Sequence, residues 1–323
     1  VIEYSMRMAD ASDRLTLQFN LVLNLLIEAD HLARQEGSAI IDARHIIAAR
    51  RQRKDRVSLS WDKGVEMVLN GTVIIDSEGA IPGVINGLAV YQMADQTFGM
   101  PLRITAKSFR GSAGIINVER EARLSGNTFN KAVLIISGLL GDMFAKNRVP
   151  GITVSLTVEQ SYGRIDGDSA SCAEFCAVLS SLSRIPLRQD VAVTGSLNQT
   201  GDVQAVGGVN EKIEGFFKIC SERGLTGRQG VIIPAANQRN LVLEPEVEEA
   251  VRKRRFNIWA ARRIEEVVEI MTGMPAGTRQ EDGTWEKGSV FAATDAAVKA
   301  MSEKEKPERD RPGKAGKRKT TGQ

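Results

Sequence analysis

The sequence predicts an α+β domain preceded by a small all-α segment. Two observations carry this. Between residues 73 and 233, strand-like runs and helix-like runs follow one another in mixed order. Residues 1 to about 52 instead repeat apolar side chains at helical spacing and contain no strand-like run. A third feature bounds the domain. Residues 302–323 are almost entirely charged, Gly, Pro and small polar residues, so they cannot bury enough apolar surface to fold.

In chain order, Leu15, Phe19, Val22, Leu23, Leu26, Ala29 and Ala33 make one amphipathic stripe. Gly37 ends that helix, and Asp42 caps a second one through Ile46, Ile47 and Ala49. The basic run Arg50-Arg51-Gln52-Arg53-Lys54-Asp55-Arg56 closes the segment. It suits a solvated helix C-terminus, with nucleic acid or acidic peptide as the alternative occupant. Strands are expected at 73–75, 87–91, 102–108, 115–119 and 152–158, with helices at 131–144 and 169–182. Strands at 191–195 and 203–206 flank the polar turn at 198–202, and 231–233 is a short buried strand. Beyond Met274 the chain turns polar, although Trp285 and Phe291 are able to dock on the domain.

The helix expected over 210–222 holds the first chemical anomaly. Ile213, Phe216, Phe217, Ile219 and Cys220 form an apolar arc, with Glu211, Glu214, Lys218, Ser221 and Glu222 opposite. Asn210 is its expected N-cap. Lys212 projects inside the apolar arc, between Phe216 and Ile219. Such a lysine either snorkels to water or loses its proton to desolvation. The second anomaly is Ser169, which follows the polar 160–168 loop and precedes an uncharged run rich in Ala, Cys, Phe, Val and Leu. It therefore sits at a helix N-terminus, where free N–H groups and the helix dipole suit an oxyanion hole. An ordinary N-cap is the alternative role for that serine. A serine with a misplaced lysine is a minimal peptidase pair.

These residues belong to an ordered series. Asp166-Gly167-Asp168-Ser169-Ala170-Ser171 is followed by Val193-Thr194-Gly195-Ser196, Gly201-Asp202-Val203 and Val206-Gly207-Gly208-Val209-Asn210-Glu211-Lys212. Upstream lie Val84-Ile85-Asn86-Gly87-Leu88-Ala89-Val90-Tyr91 and Asn117-Val118-Glu119-Arg120-Glu121; downstream lies Gly230-Val231-Ile232-Ile233-Pro234. Over residues 70–272 the series resembles the proteolytic domain of the Lon family of ATP-dependent serine proteases. The Gly-Asp-Ser-Ala-Ser form resembles the archaeal-type branch and its bacterial relatives.

The resemblance implies a ribosomal protein S5 domain 2-like fold, with Ser169 as nucleophile and Lys212 as general base. It implies that Thr194 orients the lysine and that Asp166 is an acidic position beside the nucleophile. The departure is Asp168, where many Lon proteases carry proline. A carboxylate there raises the proton affinity of a nearby amine, against what a lysine base needs. The implied domains are an AAA+ helical lid-like segment and linker at 1–56, the proteolytic domain at 57–275, and a C-terminal extension at 276–323 with a disordered basic end. Within the lid, Arg14 corresponds to a nucleotide sensor. The implied protein is a cytoplasmic homo-hexamer acting on unfolded polypeptides; its basic tail favours solubility, with weak nucleic-acid binding as the alternative role.

Several classes are excluded or left open. The two histidines, His31 and His45, both lie in the N-terminal segment, which excludes a Ser-His-Asp triad around Ser169. Three cysteines do not make a disulfide framework; Cys172, Cys176 and Cys220 read as small buried hydrophobes rather than metal ligands. No Gly-x4-Gly-Lys-[Ser/Thr] motif occurs, so no cofactor is bound by a motif of this chain. ATP and Mg²⁺ are implied only for the full-length protein. The absence of methionine at Val1 predicts a fragment. No apolar stretch reaches membrane-spanning length. The second function class is a non-catalytic or ATP-independent Lon-like domain that binds peptide or nucleic acid.

Overall fold

The computed structural model describes residues 1–146 and 151–302. The expected disorder of the basic tail therefore lies outside the described residues.

The N-terminal segment is helical, as expected: α1 (Ile2–Met8), α2 (Phe19–Gln35) and α3 (Ala43–Asp55). Gly37 ends α2 with a φ of 72°. Asp42 caps α3 by accepting the N–H groups of Arg44 and His45, and His45 returns the bond to the Asp42 N–H. The stripe is narrower than expected. Leu25 and Ala29 are buried against Ile46 and Ala49, and Ala33 is buried too, whereas Leu15, Phe19 and Leu23 are exposed. The helix starts only at Phe19, so Leu15 falls outside its periodicity. The basic run is more engaged than a solvated helix end. Arg50 binds Glu244, Arg53 binds Asp95 and Arg56 binds Glu28.

Helix α4 (Leu59–Leu69) follows, then β1 (Ala80–Pro82), β2 (Val84–Met93), β3 (Gln96–Arg110) and β4 (Gly114–Asn117). The strand expected at 73–75 does not form; these residues run as a loop in which Ile75 alone is deeply buried, beside Val65 and Ile219. The strand expected at 115–119 stops at Asn117. The Asn117 side chain accepts the Arg120 N–H and turns the chain into α5 (Val118–Glu121). Next come α6 (Asn127–Phe144), β5 (Ile152–Val158), α7 (Ser171–Ser183), β6 (Pro186–Arg188), β7 (Val191–Val193), β8 (Ser196–Leu197) and β9 (Val203–Gln204). The C-terminal part holds α8 (Val209–Arg223), β10 (Gly230–Pro234), α9 (Pro245–Arg252), β11 (Asn257–Ala261), α10 (Ile264–Thr272) and α11 (Val290–Ser302).

Seven strands form one mixed sheet in the order β11-β10-β7-β2-β3-β5-β4. The β2–β3 hairpin is antiparallel over ten register pairs, whereas β7 lies parallel to both β2 and β10. Alternation along each strand serves two cores. Ile85, Val193 and Ile232 face one core with Phe175, Val178 and Leu179 of α7. Leu88, Ala192, Val231 and Ile233 face the other with Ile213 and Phe216 of α8. Helices α7 and α8 thus cover opposite faces of the sheet. Trp285 and Phe291 do dock, closing an aromatic cluster with Phe144 at ring separations of 5.0 to 6.0 Å. No helix among the described residues is long and apolar enough to cross a membrane.

Candidate active site

Strand β7 ends at Val193, and the next residue, Thr194, is where the two helix N-termini from opposite faces meet. Carboxyl ends of parallel strands are the usual place for sites in such sheets. The Thr194 N–H donates to Ile232 O at 3.0 Å, which keeps the extended backbone in register with β10. The Gly195 N–H donates to Ser169 O at 2.8 Å, and the Thr194 hydroxyl reaches the same carbonyl at 3.2 Å. Ser169 is held there two residues ahead of the first turn of α7. The Ser171 hydroxyl pins the approach, donating to Asp168 O and accepting the Leu197 N–H, each at 2.8 Å.

Lys212 arrives from the other face. Helix α8 starts earlier than expected, with Gly208 as N-cap at a φ of 66°. Asn210 is therefore not the cap but the second helical residue. Its amide binds Asn240 O and the Val242 N–H, both at 2.8 Å, and Asn210 is itself buried. The apolar arc is buried as expected, and Lys212 is buried with it at 2% exposure. Snorkelling is excluded by that burial. Its Nζ lies 2.9 Å from Ser169 Oγ and 3.2 Å from Thr194 Oγ1.

Burial pushes the Lys212 ammonium down to about 8, while Asp168 and Glu211 pull it back up. Desolvation prevails because Asp168 is exposed, where water screens it, and its carboxylate also accepts the Ser196 hydroxyl at 2.8 Å. The opposition expected from Asp168 is real but outweighed.

Of the four site residues expected from sequence, three converge. Asp166 does not join them. Its carboxylate accepts the N–H groups of Thr128, Phe129 and Gly167 at 2.9 to 3.1 Å, holding the start of α6, and those bonds lower its pKa from the ordinary carboxylate value. Glu211 and Glu214 were expected on a solvated face. Instead both lie under α1 and bind Arg7, at 2.9 Å and 2.5 Å. Nothing local in the sequence signals this contact, which spans more than 200 residues. Arg14 is exposed beside Asp13.

All three cysteines are buried, and burial pushes the Cys176 and Cys220 thiols up to about 12. Among the described residues no group of three or more His, Cys, Asp or Glu is placed to hold a metal ion. A groove between the first three helices, lined by Tyr4, Leu26, Ile46 and Arg50, contains none of the converging residues.

Two family models match the chain. Residues 1–56 match the archaeal LonB AAA+ ATPase lid domain, and residues 76–273 match the Lon protease (S16) C-terminal proteolytic domain. A putative Lon protease homolog of Escherichia coli (strain K12) is 43% identical over 212 residues, covering 65% of this chain and 36% of the relative. A putative Lon protease homolog of Haemophilus influenzae is 39% identical over 241 residues, covering 74% and 40%. An archaeal Lon protease of Thermoplasma volcanium is 29% identical over 278 residues, covering 84% and 40%. The chain thus spans about two fifths of the length of these relatives.

Proposed function

The chain belongs to the Lon protease family, and from that premise we propose that it is a serine endopeptidase working through a Ser169–Lys212 dyad. The observation that carries the reading is a buried amine 2.9 Å from a serine oxygen at a helix N-terminus. A neutral lysine has two N–H donors and one lone pair. The Thr194 hydroxyl spends its proton on Ser169 O and so accepts an N–H from Lys212, which turns the lone pair toward Ser169.

In the proposed cycle, Lys212 Nζ takes the Ser169 hydroxyl proton as Oγ bonds to the peptide carbonyl carbon. Backbone N–H groups around Ser169 stabilise the oxyanion. The ammonium then protonates the leaving amine nitrogen as the C–N bond breaks. Water attacks the ester carbon and gives a proton to Lys212, which returns it to Ser169 Oγ as the acyl C–Oγ bond breaks and the carboxyl product leaves. Asp166 serves the loop rather than the proton transfer, and Thr194 orients the lysine.

Around this core we place an S5 domain 2-like proteolytic domain at 57–275, a lid-like segment and linker at 1–56, and an extension at 276–323. Substrates are unfolded polypeptides, and the full-length protein is a cytoplasmic, ATP- and Mg²⁺-dependent hexamer. A stable full-length monomer in light scattering that still degrades proteins would overturn the hexamer. A non-catalytic binding module is not favoured, because a scaffold has no use for a desolvated lysine against a serine. The test is labelling by a peptide aldehyde or boronate. The wild-type chain should be modified and its Ser169→Ala variant should not; equal labelling of both ends the dyad reading.

A further inference from the structure

Arg7 of α1 inserts its guanidinium between three carboxylates, two of which flank Lys212 on α8. Its side chain is 16% exposed. Nη1 and Nη2 donate to the two oxygens of Glu214 at 2.5 and 2.7 Å, a bidentate fork, and Nη2 also donates to Glu211 at 2.9 Å. Nη1 reaches Glu244 at 3.4 Å, and Arg50 of α3 completes the cluster by donating to Glu244 at 2.8 Å. Glu214 Oε1 also accepts the Glu244 N–H at 3.1 Å. Burial pushes the Glu214 carboxyl up, and Arg7 is the partner that opposes this.

We propose that Arg7 is a positioning residue for the Ser169–Lys212 pair: it holds the first turn of α8 through Glu211 and Glu214, so that docking of α1 sets both the placement and the charge surroundings of the lysine. This rests on the reading of Lys212 as general base. The charged groups acting on Lys212 are Asp168, from the loop ahead of α7, and Glu211 on its own helix. At the Arg7 end they are Glu211, Glu214 and Glu244, and Asp10 also lies within the field of Glu211. With Arg7 in place, the pull of Glu211 on the lysine is partly offset. With Arg7 withdrawn, that pull is no longer opposed by the guanidinium, so the lysine holds its proton more tightly and is a poorer base. Because α1 lies in the segment matched to a lid domain, displacing that segment would have the same effect as removing the side chain.

The experiment compares kcat/KM against pH for a fluorogenic peptide in the full chain carrying Arg7→Gln, Arg7→Lys, Arg7→Gln with Glu211→Gln, and Ser169→Ala. Arg7→Gln should move the alkaline rise to higher pH, lowering kcat/KM near neutrality by about three- to tenfold. Arg7→Lys keeps the charge and should keep the profile, and the double variant should return toward wild type. If Arg7→Gln alone does not fold, Arg7→Gln with Glu214→Gln removes both members of the buried pair and should show the same displaced rise. A rise that stays in place while activity falls equally at every pH overturns the proposal. Cleavage that survives Ser169→Ala overturns the dyad instead, so the two failures are distinguishable.

Discussion

Gly99 of β3 and Gly215 of α8 meet backbone to backbone. A Cβ on Gly215 would lie 2.2 Å from Gly99 O, and a Cβ on Gly99 would lie 1.9 Å from Glu211 O and 2.8 Å from the Lys212 Cα. The Trp61 indole N–H also donates to Gly99 O, at 2.9 Å. The lysine helix is thus seated directly on the hairpin strand, and the depth of Lys212 is set by two missing side chains.

Gly215→Ala should therefore cost activity beyond any cost in stability. The obstructing atoms are backbone and cannot rotate away, so α8 must shift. A displacement of about 1 Å at a proton-transfer pair is worth on the order of 10²-fold. Gly141→Ala in α6 is the control, because a Cβ there meets nothing within 4 Å. That change should be neutral or stabilise by up to about 1 kcal/mol. Thermal melts and peptide hydrolysis of both variants check the contrast, and equal behaviour would remove the close-approach argument.

Ser169→Ala and Lys212→Met should each lower peptide cleavage by at least about 10³-fold. Their stabilities should diverge. Holding Lys212 near 8 rather than 10.5 disfavours its charged form in the fold. At neutral pH this costs on the order of 1–3 kcal/mol, which Lys212→Met should recover as a higher melting temperature. A Lys212→Met protein that is inactive and less stable would argue that the lysine is a structural group.

Activity should rise with pH and level off above a midpoint near 8, because only the neutral amine accepts the Ser169 proton. Asp168→Asn removes a carboxylate that favours the ammonium, so the rise should move to lower pH. The displacement should shrink in high salt, since Asp168 is exposed. A flat profile, or a rise that moves upward in Asp168→Asn, counts against Lys212 as the titrating group.

The parts of this site that sequence made legible are those written into one helix or one short motif. Lys212 stood out because its neighbours at 213, 216, 217, 219 and 220 fixed an apolar arc, and the structure buries all of them. Ser169 stood out because a polar loop gives way abruptly to an apolar helix. What stayed hidden depends on partners far along the chain. Glu211 and Glu214 read as solvated because periodicity sees only their own helix, and Arg7 lies more than 200 residues away. The loop at 73–75 failed as a strand because an apolar triplet signals burial without saying that a ladder exists to join. Asp166 was placed beside the nucleophile by the resemblance alone, whereas α6, nearly 40 residues upstream, claims its carboxylate.

Glu174 supplies the last prediction, since nothing proposed for catalysis uses it. It lies on α7 at 1% exposure, and neither carboxylate oxygen has a hydrogen-bond partner among the described residues. Burial, and then the neighbouring Glu119, pushes its carboxyl up to about 8 from 4.5. One Glu119 oxygen accepts the Thr157 hydroxyl and the Val158 N–H, while the other, like both oxygens of Glu174, is buried without a hydrogen-bond partner among the described residues. Between about 4.5 and 8 the folded chain therefore holds one proton more than the unfolded chain. Stability from this group must then fall as pH rises through that window, and it is fully present below it. Glu174→Gln keeps the shape and removes the titration. It should be more stable than wild type at pH 8, by on the order of 1–3 kcal/mol, and the advantage should vanish toward pH 5. Urea unfolding of both proteins at pH 5, 6.5 and 8 reads this directly, and two stability curves that run parallel across the range would show that Glu174 does not hold an extra proton in the fold.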